Sequence, residues 1–307
     1  MKKVLVAGEI NVDLILQGYR TFPSPGTEVL VDDAALTLGS ASVICAAGLA
    51  RLGHPVAFVG RVGRDVFGDY CVRAMADLGI DVSPLIRGES LKTGITASIT
   101  APRDRALVTF LGSIASLRAE DVPDPLLAQY QHLHVSSYFL QEGLRPGCPD
   151  LFARARRLGL STSLDPGCDP SERWGDDIRA TLAGVDIFFP NEVELAALAG
   201  ESDPLPALRR LANGHTRIVA KLGAEGCLTL DGDAPLRAPS FPVTPVDTTG
   251  AGDSFNAGFL HAYLGGATLA ECLDWGAACG ALSTRGLGGT AAQATAGEVA
   301  ALLRSRP

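Results

Sequence analysis

Short apolar runs bounded by turn residues alternate with amphipathic stretches along the first two thirds of the chain. The runs fall at residues 4–10, 56–62, 132–137, 161–165, 186–190 and 217–222. Helical spacing of apolar positions marks the stretches at 40–52, 67–78, 148–158, 176–183, 192–199 and 206–212. A strand that is apolar on both faces must be covered on both faces, which parallel sheets with crossover helices achieve. The pattern therefore predicts an α/β fold, a three-layer sandwich around a mostly parallel central sheet. In such sheets, sites form outside the carboxyl ends of the strands. Asn11, Asp13, Asp165-Pro-Gly167, Asn191 and Gly223 fall at those ends.

Two stretches break the rhythm. Residues 28–37 alternate apolar and polar positions after a Pro/Gly-rich loop, and residues 93–110 read as a hairpin turning at 102–105. Both suit a small second sheet. One α/β domain over residues 1–307 is expected, with lid strands inserted at about residues 12–38 and 92–112. From Asp247 onward helical patterns dominate.

Composition excludes several classes. The net charge of -8 argues against a nucleic-acid partner, which needs clustered Lys and Arg. No apolar run reaches the length of a membrane span, and Asn11 and Asp13 interrupt the N-terminal run where a signal peptide would continue. A cytoplasmic protein is expected. The seven cysteines are odd in number and scattered, so small buried thiols are the expectation. His132 and His134 share a strand face without a third ligand nearby, too little for a metal.

Asp247-Thr-Thr-Gly-Ala-Gly-Asp253 carries the chemistry. Gly250 and Gly252 permit a tight turn, and a helix is expected from about Asp253 to Leu264 with Phe255, Phe259 and Tyr263 on one face. Free N–H groups and the positive dipole end at a helix start suit an anion such as phosphate. A carboxylate beside that hole is the minimum apparatus for phosphoryl transfer to a hydroxyl. On these residues alone, a plain capped helix is an equally good reading.

These residues resemble the ribokinase-like (PfkB-type) carbohydrate kinases over most of the chain. The segment 247–253 matches that family's C-terminal signature in full. The resemblance implies that Asp253 is the catalytic base and that Gly250, Ala251 and Gly252 form the anion hole. Asn191-Glu-Val-Glu194 resembles the family's Asn-x-x-Glu motif, which implies a nucleotide role for Asn191 and a water-mediated Mg2+ role for Glu194. A helix cap with an acidic first turn explains the same spacing. Lys221-Leu-Gly-Ala-Glu-Gly226 is similar to the loop that turns under ATP, implying nucleotide contacts from Lys221, Gly223 and Gly226. A plain hairpin is the alternative there. The resemblance implies that Asp13 hydrogen-bonds the acceptor with Asn11 beside it, and at the first crossover helix Gly39 survives from the family's glycine pair while Ser40 and Ser42 are candidates to compensate for the Asn that Val43 replaces. Asp247 and Thr249 match positions near a monovalent cation, potassium, although the loop at residues 286–290 departs from the pattern.

Other departures bear on the acceptor. Val43 stands where the family often has an acceptor-binding Asn, and Ser136, Ser137 and Tyr138 replace an acidic position. The expected pocket is less acidic and more apolar. The resemblance implies an ATP- and Mg2+-dependent kinase acting on a primary hydroxyl of a sugar or sugar-like compound. A nucleoside kinase is the alternative, with Phe110, Tyr138 and Phe139 as the base wall. A phosphorylated sugar fits less well, since Ser40 lacks a lysine's charge, unless Arg103 and Arg105 at the hairpin tip supply it. A non-catalytic sugar or nucleotide sensor is the third reading, which the intact Asp253 turn disfavours. The lid strands are expected to close over the substrate or to pair two chains as a homodimer.

Overall fold

The computed structural model describes residues 1–19, 21–22, 24–101, 104–175 and 177–305. Hairpin-tip residues Pro102 and Arg103, and the expected helix start at Asp176, lie outside the described residues.

The chain opens with β1 (Val4–Ala7), buried along its whole length. Then come β2 (Asn11–Gln17), β3 (Asp33–Leu38), α1 (Ala41–Arg51), β4 (Val56–Val59), β5 (Arg61–Gly63), α2 (Val66–Asp77) and β6 (Ile86–Gly88). The expected hairpin is β7 (Gly94–Ala101) and β8 (Asp104–Phe110). The middle alternates α3 (Asp124–Leu127), β9 (His132–Val135), α4 (Cys148–Arg157), β10 (Ser161–Leu164), α5 (Asp177–Leu182), β11 (Ile187–Phe188), α6 (Glu192–Ala199), α7 (Pro204–Leu211) and β12 (Arg217–Lys221). A hairpin of β13 (Cys227–Asp231) and β14 (Ala234–Ala238) precedes α8 (Ala251–Leu264), α9 (Leu269–Ser283) and α10 (Ala296–Arg304).

Eight strands form the main sheet in the order β14-β13-β12-β11-β10-β9-β1-β4. In sheet order the strands from β4 to β12 are parallel, β13 runs antiparallel to them, and β14 runs antiparallel to β13. Period-two alternation splits each strand between two cores. Val4 and Val6 enter a core with α1, α2, α8 and α9, while Leu5 and Ala7 enter one with α4 to α7. The three-layer expectation holds. Chain order reverses around β1, whose neighbours are β4 and β9, so a crevice opens at their carboxyl ends.

The second sheet runs β3-β2-β7-β8. Its register places Thr37, Asp13, Thr96 and Thr109 in one row, and Leu36, Leu14, Ala97 and Val108 in the next. Neighbouring rows point to opposite faces, so one face carries hydroxyls and a carboxylate and the other is apolar. The first strand is shorter than the run at residues 4–10 and ends at Ala7. Gly8, Glu9 and Ile10 follow it, and the chain then enters the small sheet at Asn11. Among the described residues no helix is long and apolar enough to cross a membrane. Six cysteines are buried as expected, and Cys168 is exposed.

Candidate active site

Five strands of the main sheet deliver polar residues to one edge. Glu9 follows β1, Ser137 follows β9, Asp165 follows β10, Asn191 follows β11, and Lys221 ends β12. A cavity of about 810 Å³ opens there, lined by Asp165, Asn191, Glu194, Lys221, Gly252 and Asp253. Phe241, Pro242 and Val243 make a more apolar wall.

The start of α8 carries no side-chain cap, a trait it shares with α3 and α4, but of the three it alone borders the cavity. Side chains close the first turns of α1, α2, α6, α7, α9 and α10. The N-cap of α8 is Gly250, with no side chain to do so. Its φ of 71° is left-handed, and a Cβ there would lie 2.9 Å from Gly289 Cα. The turn therefore opens on the cavity through Gly252 and Asp253. The Ala251 N–H instead turns back to the Thr248 carbonyl at 3.2 Å, which removes it from the expected set of anion donors. The helix begins at Ala251, two residues before the expected start, so Asp253 sits in its first turn and is not its cap. Phe255 stacks on Phe259, and Phe259 on Tyr263, as the spacing predicts.

Burial pushes the Asp253 carboxyl well above the ordinary aspartate range, and Asp165, Glu9 and Glu194 add to this while Lys221 opposes it. A carboxylate made more basic in this way is a better acceptor of a hydroxyl proton. Asn191 and Glu194 form a reciprocal cap: Glu194 N–H donates to Asn191 Oδ1 at 2.9 Å, and Asn191 N–H donates to Glu194 Oε2 at 2.8 Å. The two readings of that motif coexist, since both residues also line the cavity. Burial and Asp165 raise the Glu194 carboxyl to about 7, against the pull of Lys221 and the Asn191 N–H. Among the described residues no three acidic, thiol or imidazole groups gather as a direct metal chelate. A hydrated Mg2+ that keeps most of its waters fits this donor set; a dehydrated ion does not.

Lys221 lies across the first turn of α8, where a Cβ on Gly252 would stand 3.3 Å from its Nζ. The expected nucleotide loop follows. Gly223 and Gly226 both have positive φ and line the cavity, and a Cβ at Gly226 would come within 2.0 Å of the Ala238 carbonyl.

On the acceptor side, Asn11 Nδ2 donates to Asp13 Oδ1 at 2.9 Å and to Thr96 Oγ1 at 3.3 Å. Gly39 makes room for both residues, because a Cβ there would stand 2.2 Å from Asp13 Oδ1 and 2.4 Å from Asn11 Nδ2. Ser40 is committed elsewhere. Its hydroxyl donates to the Glu9 carbonyl at 2.7 Å and accepts from Val43 N–H at 3.0 Å, capping α1. The expected substrate contact from Ser40 is therefore replaced by an internal one. Asp247 is also engaged: it accepts from Thr249 N–H and Oγ1 at 2.9 and 2.7 Å and from Gly288 N–H at 2.9 Å, bracing the loop at 286–290.

Beside Ser137 stands a carboxylate that the sequence reading did not count, Glu9. It is buried and accepts from Ser42 N–H and Ser137 Oγ at 3.1 and 3.0 Å. Val43 faces the core, so its identity leaves the pocket wall unchanged. Tyr138 and Phe139 are buried in the opposite core, and Phe110 is exposed on the small sheet. Both ring nitrogens of His132 and of His134 pair with serines, which leaves neither for a metal. Arg103 lies outside the described residues. Sequence reasoning placed Asp165 at a strand end without giving it a role, and missed Glu9 and Asn256, which bond Ser137 and Asp165 beside the site. Their position after β1 and one turn beyond Asp253 was the available signal.

A model of the pfkB family of carbohydrate kinases matches residues 1–296. An ATP-dependent ribose-1-phosphate kinase of Halopiger xanaduensis is 31% identical, covering 100% of this chain and 99% of that one. A nucleoside kinase of Methanothermobacter thermautotrophicus is 27% identical, covering 88% of this chain and 85% of its own. The apo structure of a putative ribokinase II from E. coli superposes with a TM-score of 0.87 at 24% identity, over 100% of both chains.

Proposed function

The chain belongs to the pfkB family of carbohydrate kinases and is an ATP-dependent kinase, and from that premise we propose that it phosphorylates a primary hydroxyl of a sugar or sugar-like molecule. One observation carries the reading: Asp253, its carboxyl driven up by burial, lies in a helix turn that no side chain closes and that opens on the cavity.

Asp13 and Asn11 orient the acceptor, beside the hydroxyl face of the small sheet. Asp253 takes the proton of the attacking hydroxyl, the freed oxygen bonds to the γ-phosphorus, and the bond to the β-phosphate oxygen breaks to release ADP. The first turn of α8, with Gly250 and Gly252, and the Lys221 ammonium stabilise the transferring charge. Asn191, Gly223 and Gly226 border the nucleotide. Mg2+, when bound, neutralises charge on the phosphate oxygens, and Glu194 with Asn191 would hold its water shell. Potassium at Asp247 and Thr249 belongs to this reading as well, and turnover with and without it is the check.

The burial of Tyr138 and Phe139 favours a sugar over a nucleoside, and Phe110, although exposed, lies in the row of Val12 and Ile95, on the face opposite Asp13. The apolar face of the small sheet exposes Leu14, Leu36 and Val108. That face supports pairing of two chains through the lid, and Val108→Asp should shift the protein to a smaller species in sedimentation if it does.

The test is acceptor-dependent ADP release with Mg-ATP across sugars, sugar acids, sugar phosphates and nucleosides. Turnover confined to sugars and their derivatives supports the proposal. Turnover confined to nucleosides replaces it with the alternative, and ligand binding without turnover points to a sensor.

A further inference from the structure

Asp165 has no place in the chemistry just described, yet it is a buried carboxylate held by three hydrogen bonds beside it. It is 4% exposed and lines the cavity. Its Oδ2 accepts from Lys221 Nζ at 2.5 Å and from Asn256 Nδ2 at 2.6 Å, and its Oδ1 accepts from Gly167 N–H at 3.0 Å. These partners come from three separate parts of the fold: the end of β12, the second turn of α8 and the loop after β10. Asn256 is fully buried, and its Oδ1 has no hydrogen-bond partner among the described residues. A buried amide left half satisfied is costly, so the orientation that serves Asp165 is being held against that cost.

The consequence falls on Lys221. Burial alone would lower its pKa, but Asp165, Glu194 and Asp253 outweigh burial and keep it raised. The ammonium has three N–H donors, and the Asp165 bond uses one. The bond also fixes a long, flexible stem in the one direction that crosses Gly252, where any Cβ would crowd it.

Resting on the kinase reading above, we propose that Asp165 is a positioning residue: with Asn256 it holds the Lys221 ammonium over the first turn of α8, so that this charge meets the transferring phosphoryl group. Asp165 touches neither nucleotide nor acceptor. Its bond to Lys221 is the main route by which it acts, beside the push that its charge gives the Asp253 carboxyl, and its removal should cost turnover and leave ground-state binding little changed.

The experiment is a double-mutant cycle of Asp165→Asn and Lys221→Met, reading kcat and the KM values for ATP and for the best acceptor. Each single change is expected to lower kcat by about 10²- to 10³-fold, as loss of one preorganised donor does, with both KM values within about threefold. In the Lys221→Met background, Asp165→Asn should lower kcat by less than about twofold. With Lys221 present, Asp165→Asn should also bring a falling limb of kcat into the alkaline range, because the lysine loses its proton at lower pH. Asn256→Ala keeps the ion pair and tests the same point should Asp165→Asn not fold. It should lower kcat by about threefold or more, and only when Lys221 is present. Equal losses with and without Lys221 would overturn the proposal, as would a large change in acceptor KM at unchanged kcat. A wild-type chain that turns over no acceptor instead removes the kinase reading, and this proposal with it.

Discussion

Gly39 shows how narrowly single residues are specified at the acceptor end. Its missing Cβ is the space that Asp13 Oδ1 and Asn11 Nδ2 occupy. Gly39→Ala should displace both, lowering kcat/KM for the acceptor by about tenfold while the KM for ATP stays put. Steady-state kinetics with each substrate varied in turn would check this; equal effects on both substrates would detach Gly39 from the acceptor. Residue identities at strand ends were legible in the sequence because glycines, asparagines and carboxylates there have few structural excuses. Pairings were not. Asp165 and Lys221 are 56 positions apart, and nothing local in either segment indicates that they meet. Ser40 was misplaced for the same reason: its hydroxyl is claimed by Glu9, which a strand-like run concealed.

Among the elements, β9 and β10 carry the least expected arrangement. A buried chain of hydrogen bonds links Ser161, His132, Ser163, His134 and Ser136, with contacts of 2.7 to 2.8 Å. Register explains it, since His132 pairs with Ser161 and His134 with Ser163 across the parallel ladder. Burial drives both imidazoles down, His134 to about 4, so both are neutral and each ring offers one donor and one acceptor. Ser163 bonds both rings, so Ser163→Ala should cost about 1–3 kcal/mol for each nitrogen left alone. Urea unfolding measures that loss, and an unchanged midpoint would show that the chain adds nothing to stability. The strands themselves were readable from apolar runs. Their polar inner positions could be placed only once register was known, because period-two alternation does not say which strand lies alongside. The early end of β1 at Ala7 was likewise hidden, as Ile10 continues the apolar character beyond it.

Over the whole molecule, the site is a concentration of like charge that the fold must bear. Asp253, Glu194 and Glu9 all have carboxyls raised by burial, with Lys221 as the opposing cation for the first two. A carboxyl raised in the folded state stabilises the fold at low pH, and that contribution is lost as pH rises through the raised value. Neutralising Asp253 should therefore help most at high pH. Asp253→Asn is expected to melt at a higher temperature than the wild type at about pH 8. The gap should close as pH falls toward about 3.9, the ordinary aspartate value. Calorimetry across pH decides this; a gap that widens on acidification would reverse the assigned direction. Glu194, raised to about 7, makes a second forecast: Mg-ATP should bind more tightly as pH climbs through neutrality, and Glu194→Gln should flatten that dependence in titration calorimetry.

The most direct test of the account is ADP release by Asp253→Asn beside the wild type, on the same acceptor at saturating Mg-ATP. The melting comparison shows in advance whether the variant is folded. Loss of a general base should lower kcat by about 10²- to 10⁴-fold while ATP affinity stays within about threefold. Wild-type turnover in a folded Asp253→Asn protein would contradict the account, because no carboxylate at that position would then be needed to move the proton.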